Sequence, residues 1–364
     1  MVFYGLDCPQ SSSYGHGVKK FERLQIHFAL ALSLFFGFDS LIHSEKPVSA
    51  QKRYQFESPQ MGVPFRLVIY TDRGAPHASD AAGKVWGRIS FLNNILSNYE
   101  TDSELSRLGY GAGQGIWTHV SDELWTVITH AQRLSVSSRG AFDFTLGPAT
   151  ALWRKVRRQK QLPSPQVLDS MMRRTGWHHL VLSPEDLSVC LIVPGMRLDP
   201  GGIAKGFALD EGLKVLGPMG ISSALISGGG DMAVLDAPPN ASGWQVRLAD
   251  FKSEIHEAGI IELNNRAIAT SGDLFQFVDI EGKRYSHILH PKTGLGLTQR
   301  VLVSVIAPTG MEADSLATTL SVLGPEKSPG WIDQHDSLIQ VRMLWLDDKE
   351  HMHQWQTDSF GDCP

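Results

Sequence analysis

Apolar positions along this chain switch between two periods. From Arg66 to Tyr70 they alternate, with Leu67 and Ile69 facing one way, which predicts a strand entered from the turn-like Met61-Gly62-Val63-Pro64. Ala82, Val85, Trp86, Ile89, Leu92 and Leu96 then recur at helical spacing, so a long amphipathic helix crosses that strand. A second such helix carries Leu124, Val127, Ile128, Ala131 and Leu134, with Ser121 as its N-cap, Leu124 in place of a capping-box Glu, and Gly140 closing it. Short strands are expected at 179–182, 223–226, 244–248, 259–263 and 301–306, with helices at 204–216 and 312–320. Strand runs mixed with a few helices predict an α+β fold rather than a regular βαβ alternation. The stretch after Asp347, rich in His, Gln and Asp, is expected to form a peripheral tail over 348–364.

Composition narrows the class. With 364 residues, 42% of them hydrophobic and 20% charged, the chain can bury a sizeable core as one large domain or two intimate ones. A formal net charge of -5 argues against a general polyanion-binding surface, so no nucleic-acid partner is expected. Cys8, Cys190 and Cys363 are too few and scattered for a disulfide framework or a zinc site. Cys190, in the apolar run from Val189 to Val193, reads as a small buried hydrophobe.

The first residues carry an address. Lys19, Lys20 and Arg23 precede the apolar run Ile26 to Phe38, and Val48-Ser49-Ala50 offers small residues for cleavage. That order is a secretory signal, which makes 1–50 a leader and the mature protein exported, with a periplasmic location expected. The run is short for a membrane span and ends at Asp39, and no cysteine follows it for a lipoprotein anchor.

Several turns carry candidate chemistry. Thr309 and Glu312 form a capping box ahead of an apolar stripe of Ala313, Leu316, Ala317 and Leu320, leaving Asp314 and Thr318 one turn apart on an adjacent face. Two hard oxygen donors pointing the same way suit magnesium, although spacing alone favours an ordinary solvated Asp and Thr. Asp199-Pro200-Gly201-Gly202-Ile203-Ala204-Lys205-Gly206 is a glycine-rich entry to a helix, as well suited to a phosphate as to a simple connection. Ser227-Gly228-Gly229-Gly230-Asp231 and Ala269-Thr270-Ser271-Gly272-Asp273 add two more small-residue turns, a pattern of backbone lining a cavity, although each by itself is an ordinary tight turn. Gly140-Ala141-Phe142-Asp143 offers a carboxylate and an aromatic ring for a pocket wall. His287, near Pro291-Lys292-Thr293-Gly294, is by residue type more often structural than catalytic.

Taken in order from Met61 to about Leu346, these pieces resemble the ApbE flavin transferases. The likeness runs through Met61 to Phe65, Tyr99 to Leu108, Gly140 to Pro148, Asp199 to Gly206, Ala269 to Asp273, Arg284 to His287, Val303 to Pro308 and Glu312 to Asp314. It implies an α+β fold over 51–347 whose mixed sheets and helices enclose a flavin pocket, and transfer of FMN from FAD to a Ser or Thr hydroxyl of another protein with release of AMP. It also implies that FAD is bound by Met61, Tyr99, Ala141, Phe142, Asp143, Asp199, Lys205, His287 and Ile288, and magnesium by the Gly202 carbonyl, Asp314 and Thr318. His287 and Asp143 are the candidate bases, and the expected acceptor is a membrane redox subunit. The rivals are hydrolysis of FAD to FMN and AMP, and flavin binding without turnover. Two positions depart from the family pattern: His290 stands where Asp is usual, and Ser227 where Asn or Asp is common.

Overall fold

The computed structural model describes residues 51–251, 259–274, 276–335 and 338–362. Residues 1–50, expected to form the leader and including Cys8, and Cys363 lie outside the described residues. In chain order the elements are β1 (Lys52–Gln60), β2 (Val63–Thr71), α1 (Gly74–Leu96), α2 (Glu104–Leu108), β3 (Thr118–His119), α3 (Asp122–Ser137), α4 (Gly147–Gln159) and α5 (Pro165–Met172). Then come β4 (Leu180–Ser183), β5 (Ser188–Leu191), α6 (Ala204–Lys214), β6 (Ala224–Gly228), β7 (Asp231–Val234), β8 (Trp244–Arg247), β9 (Ile260–Leu263) and β10 (Ala267–Gly272). Last are β11 (Phe277–Ile280), β12 (Lys283–Ser286), β13 (Val301–Ala307), α7 (Gly310–Ile332), β14 (Gln340–Leu346) and β15 (Met352–Gln356). The α+β expectation holds.

Eight strands make one antiparallel sheet in the order β1-β2-β6-β7-β10-β13-β14-β15. Its two faces follow from strand alternation. Phe65, Leu67 and Ile69 of β2, Ala224 and Ile226 of β6, and Val301, Val303 and Val305 of β13 join α1, α3, α6 and α7 in the main core. Val68, Leu225, Val234, Ile268 and Ile306 face the other way, onto the β8–β9 hairpin with Trp244, Val246, Ile261 and Leu263. Both faces are thus covered, which is why β13 is buried at every position. Each fully buried Leu, Ile or Phe contributes about 1.5–3 kcal/mol.

The two long predicted helices are α1 and α3. Ser121 caps α3 by accepting from the Leu124 N–H at 3.3 Å. Beyond Ser137, Arg139 takes a left-handed φ of 51° and Gly140 returns its N–H to the Ser135 carbonyl at 2.8 Å, which closes the helix. The helix expected at 312–320 is the first part of α7, which breaks at Gly324, where φ is 72° and ψ 176°, before Pro325 starts a second segment. Cys190 is buried in β5 with a free thiol. The tail is not merely loose chain: Met352–Gln356 pairs with β14 as the sheet's edge, and Trp355 packs on the main core.

A third apolar cluster joins α4 to the β11–β12 hairpin. Leu146, Ala149, Trp153 and Val156 pack on Val278, Ile280, Tyr285 and Leu289, and the Trp153 indole N–H donates to the Ser286 carbonyl at 3.2 Å. This docking fixes His287, the residue after Ser286, relative to α4.

Candidate active site

Helices α6 and α7 touch through glycine. A Cβ on Gly206 would strike the Gly310 carbonyl and lie 2.9 Å from Asp314 Cβ, so only glycine lets the two helices meet here. Asp210, one turn along α6, accepts from the Gly310 N–H at 2.6 Å and the Met311 N–H at 2.9 Å, satisfying free donors at the start of α7. Burial pushes the Asp210 carboxyl up to about 6, against those two bonds. Thr309 Oγ1 accepts from the Glu312 N–H at 3.2 Å and donates to Glu312 Oε2 at 3.0 Å, a side-chain form of the predicted capping box.

The clasp sets a buried ionic cluster. Lys205 Nζ donates to Asp231 Oδ2 at 2.7 Å and to Asp314 Oδ2 at 3.3 Å, and the Gly206 N–H donates to Asp314 Oδ2 at 3.1 Å. Asp314 is 3% exposed, so the solvated-helix alternative does not hold. Burial works against the charge on Lys205, but Asp231 and Asp314 more than offset it and hold its proton affinity above the usual lysine range. Burial and then the Asp314 charge push Asp231 up to about 7, against Lys205. Thr318 Oγ1 would lie 2.8 Å from any Cβ on Gly202 and is 3.4 Å from Ser271 Oγ. Ser271, Asp314 and Thr318 therefore place side-chain oxygens close together beside Lys205, with the Gly202 backbone against Thr318.

Glycine turns give this cluster its neighbours. Gly229 and Gly230, with φ of 64° and 104°, make the two-residue link between β6 and β7, and a Cβ on Gly229 would stand 2.9 Å from Lys205 Cδ. Met61 and Gly62, at 48° and 78°, make the same kind of link between β1 and β2, whose Phe65 pairs with Gly228. Asp199 Oδ1 accepts from the Gly201 N–H at 3.1 Å and from Asn98 Nδ2 at 2.7 Å, while its own N–H donates to the Phe144 carbonyl at 2.8 Å. Asn98 Oδ1 accepts from Arg154 at 3.0 Å, and the Arg154 guanidinium lies 3.9 Å over the exposed ring of Tyr99. One chain of contacts thus joins the glycine-rich entry of α6, the Tyr99 segment and α4.

A match to the ApbE family covers residues 61–343. The chain belongs to the ApbE family. It is 31% identical over 308 residues to a protein of Escherichia coli (strain K12) named FAD:protein FMN transferase, covering 82% of this chain and 86% of that one. A protein of the same name from Haemophilus influenzae is 30% identical over 244 residues, 65% of this chain and 70% of its own length. Among solved structures, the flavin transferase ApbE from Vibrio cholerae superposes with a TM-score of 0.77 at 28% identity, over 85% of this chain and 98% of that one. The apo Pseudomonas stutzeri flavinyl transferase ApbE gives 0.76 at 27%, over 86% and 97%.

Within this ApbE fold the candidate residues separate into groups. Gly202, Lys205, Asp314 and Thr318 converge, and Asp199 braces the turn that carries the first two. Ala141 is half-buried, but Phe142 differs from its expected place at a pocket wall: its ring is 4% exposed and packs in the main core. Asp143 Oδ1 accepts from the Thr145 N–H and hydroxyl at 2.8 and 2.6 Å, and Oδ2 from the Trp177 N–H at 3.3 Å. Both its oxygens are thereby engaged in bracing the loop, and burial raises its carboxyl above the usual range.

His287 has a different arrangement. Its Nδ1 lies 3.1 Å from the Gln276 carbonyl, which can only accept, so Nδ1 carries the proton and Nε2 keeps a lone pair. Burial, together with the charges of Arg157 and Lys205, pulls its proton affinity down to about 4, so the imidazole is neutral near pH 7. Ile288 is buried beside it and held through its N–H on Ser286 Oγ at 3.1 Å. His290 Nδ1 accepts from the Lys292 N–H at 3.2 Å, the turn-capping bond that a carboxylate would make in its place. Asp231, Asn98 and Asp210 were missed as site residues. Only Asp231 carried a signal, as the carboxylate closing the triple-glycine turn.

Proposed function

We propose that this chain transfers FMN from FAD to a Ser or Thr hydroxyl of an acceptor protein, releasing AMP, in a magnesium-dependent reaction. The observation that carries the proposal is the convergence of Gly202, Asp314 and Thr318 beside Lys205. Relatives named FAD:protein FMN transferase support the reaction class. The donors fit the metal, because a buried carboxylate, a hydroxyl and a backbone carbonyl are all hard oxygens. Among the described residues no group of three or more His, Cys, Asp or Glu is placed to hold a metal, so water and phosphate oxygens would complete the coordination. Magnesium bound there would neutralise charge developing on the pyrophosphate oxygens.

The protein's own groups do the rest. Lys205 faces the same region as a fixed cation, and the turns at Gly201-Gly202 and Gly229-Gly230 let backbone approach the diphosphate closely. The acceptor oxygen bonds to the flavin-side phosphorus, the bond from that phosphorus to the bridging oxygen breaks, and AMP departs with that oxygen. His287 Nε2 takes the hydroxyl proton, a role that Asp143 is poorly placed to share with both oxygens engaged. Export and a periplasmic location belong to the same proposal, supported by the basic, apolar and small-residue order from Lys19 to Ala50, and so does a membrane redox subunit as acceptor. No helix among the described residues is long and apolar enough to cross a membrane.

The test is Asp314→Asn, which nearly keeps shape and removes the charge. Transfer, read as in-gel flavin fluorescence of candidate redox subunits incubated with FAD, should fall roughly a hundredfold or more at limiting magnesium, with FAD still bound. Wild-type transfer by the variant would remove the proposed metal site.

A further inference from the structure

Beside Tyr99 opens a groove of about 520 Å3 whose wall carries Arg154, Arg157, Arg158, Lys160 and Phe277. Arg154, Arg157 and Arg158 fall at i, i+3 and i+4 on α4, so they share one face of that helix. Lys160 ends the helix with a left-handed φ of 53°, a conformation glycine adopts without strain, so the chain holds a cation where a side chain is disfavoured. Among the described residues Arg157, Arg158 and Lys160 make no ion pair, and Arg154 bonds only to the neutral Asn98. The one carboxylate on the wall, Asp279, sits 3.6 Å from Arg284. Four cations thus face a single groove on a protein whose net charge is -5.

The family resemblance assigns Tyr99, which lines the groove under Arg154, to FAD. FAD carries its charge on the diphosphate alone, however, for which Lys205 and the proposed magnesium site are the candidates, so Arg157, Arg158 and Lys160 are left over. The groove nevertheless adjoins the reaction site: Arg157 acts electrostatically on His287, and Arg154 is tied through Asn98 to Asp199. The Phe277 ring, with Arg284 3.6 Å over one face, adds an apolar contact.

We propose that this groove docks an acidic segment of the acceptor protein, with Arg157, Arg158 and Lys160 pairing with its Asp or Glu side chains so that the neighbouring hydroxyl reaches His287. The proposal rests on the transferase reading and specifies its partner. Rim ion pairs are individually weak and salt-sensitive, so the cations act together, and their main effects are orientation and encounter rate.

The experiment compares two labelled peptides by fluorescence anisotropy on the mature chain. One carries a central Thr flanked by Asp residues, and the other has Asn in their place. The acidic peptide should bind roughly tenfold more tightly at low salt, and the preference should vanish in Arg158→Gln/Lys160→Gln and at about 0.5 M NaCl. FAD affinity should be unchanged in that variant. Equal affinities for the two peptides, or a preference that survives the double substitution, would overturn the proposal. So would a loss of FAD affinity, which would assign the cations to FAD. Vesicles of phosphatidylglycerol form a further arm: binding to them without preference for the acidic peptide would make the groove a membrane contact and sink the idea. Failure of the wild type to release AMP from FAD with candidate acceptor proteins present would instead defeat the transferase reading, whatever the peptides do.

Discussion

Substituting Gly206 by Ala adds one methyl group where α6 meets α7. That carbon would overlap the Gly310 carbonyl and stand 2.9 Å from Asp314 Cβ, whereas ordinary contact begins at 3.4 Å. Asp314 must therefore retreat by at least 3.4 − 2.9 = 0.5 Å, and Gly310 by more. The strain of overpacking is about 1–3 kcal/mol. Better helix propensity returns about 1 kcal/mol, so the net loss of stability should be roughly 0–2 kcal/mol. Activity should suffer more. Asp314 and Thr318 travel with α7, whereas Gly202 and Lys205 travel with α6, so a shift between the helices pulls the cluster apart. A displacement of about 1 Å costs about a hundredfold in favourable cases, and a loss between tenfold and a hundredfold in transfer rate is expected. Thermal melts and FMN transfer across a magnesium titration should be measured together. Gly83→Ala is the control: it lies exposed on α1 with nothing within 4 Å of its Cβ, so it should add up to about 1 kcal/mol and leave transfer unchanged. If Gly206→Ala transferred FMN as fast as wild type at limiting magnesium, the helix clasp would not set the site.

Three other outcomes are expected. His287→Gln should lower transfer by roughly a hundredfold or more, and the wild-type kcat/KM should rise with pH through about 4 and then level, because the free-enzyme imidazole is neutral above that value. His130, whose Nε2 lies 3.0 Å from Ser315 Oγ on α7, is held by burial at about 4 against an unfolded value of 6.5. The unfolded chain therefore takes up the proton first, and stability should fall as pH drops from 6.5 towards 4, by roughly 3 kcal/mol at this residue. Urea melts of wild type and His130→Asn at both ends of that window will show it. Amino-terminal sequencing of the mature protein should begin after the leader, and a product retaining Ile26 to Phe38 would refute export.

What the sequence revealed and what it hid follow from the range of the forces involved. That Asp314 and Thr318 share a helix face was legible because a helix repeats over a few residues and its cap is local, whereas their burial was not, since spacing alone favoured a solvated pair and the metal role came only from the family resemblance. Asp231 was not, because its role exists only once the β6–β7 turn carries it onto Lys205, a residue of another element. Helix α4 escaped notice although Ala149, Trp153 and Val156 recur at helical spacing, because Arg154, Lys155, Arg157 and Arg158 dominate its second half. Likewise Phe142 looked available to a ligand, since nothing local says that its ring turns into the core. The edge strand β15 is polar and mostly exposed, so it has almost no apolar period to detect, and its pairing with β14 is a tertiary fact.

The charges around His287 suggest how substrate and base are linked. Before FAD arrives, Lys205 and Arg157 add to burial in disfavouring the imidazolium, and the ring stays neutral with its Nε2 lone pair available. A diphosphate accompanied by magnesium would enter beside Lys205 as a nearly neutral pair, so FAD by itself would leave the proton affinity of His287 close to that of the empty protein. An acidic acceptor segment lying against Arg157, as proposed above, would oppose that cation and raise it. The base proposed at His287 would then be stronger towards the acceptor hydroxyl than towards water arriving without the acceptor, which would favour transfer over hydrolysis.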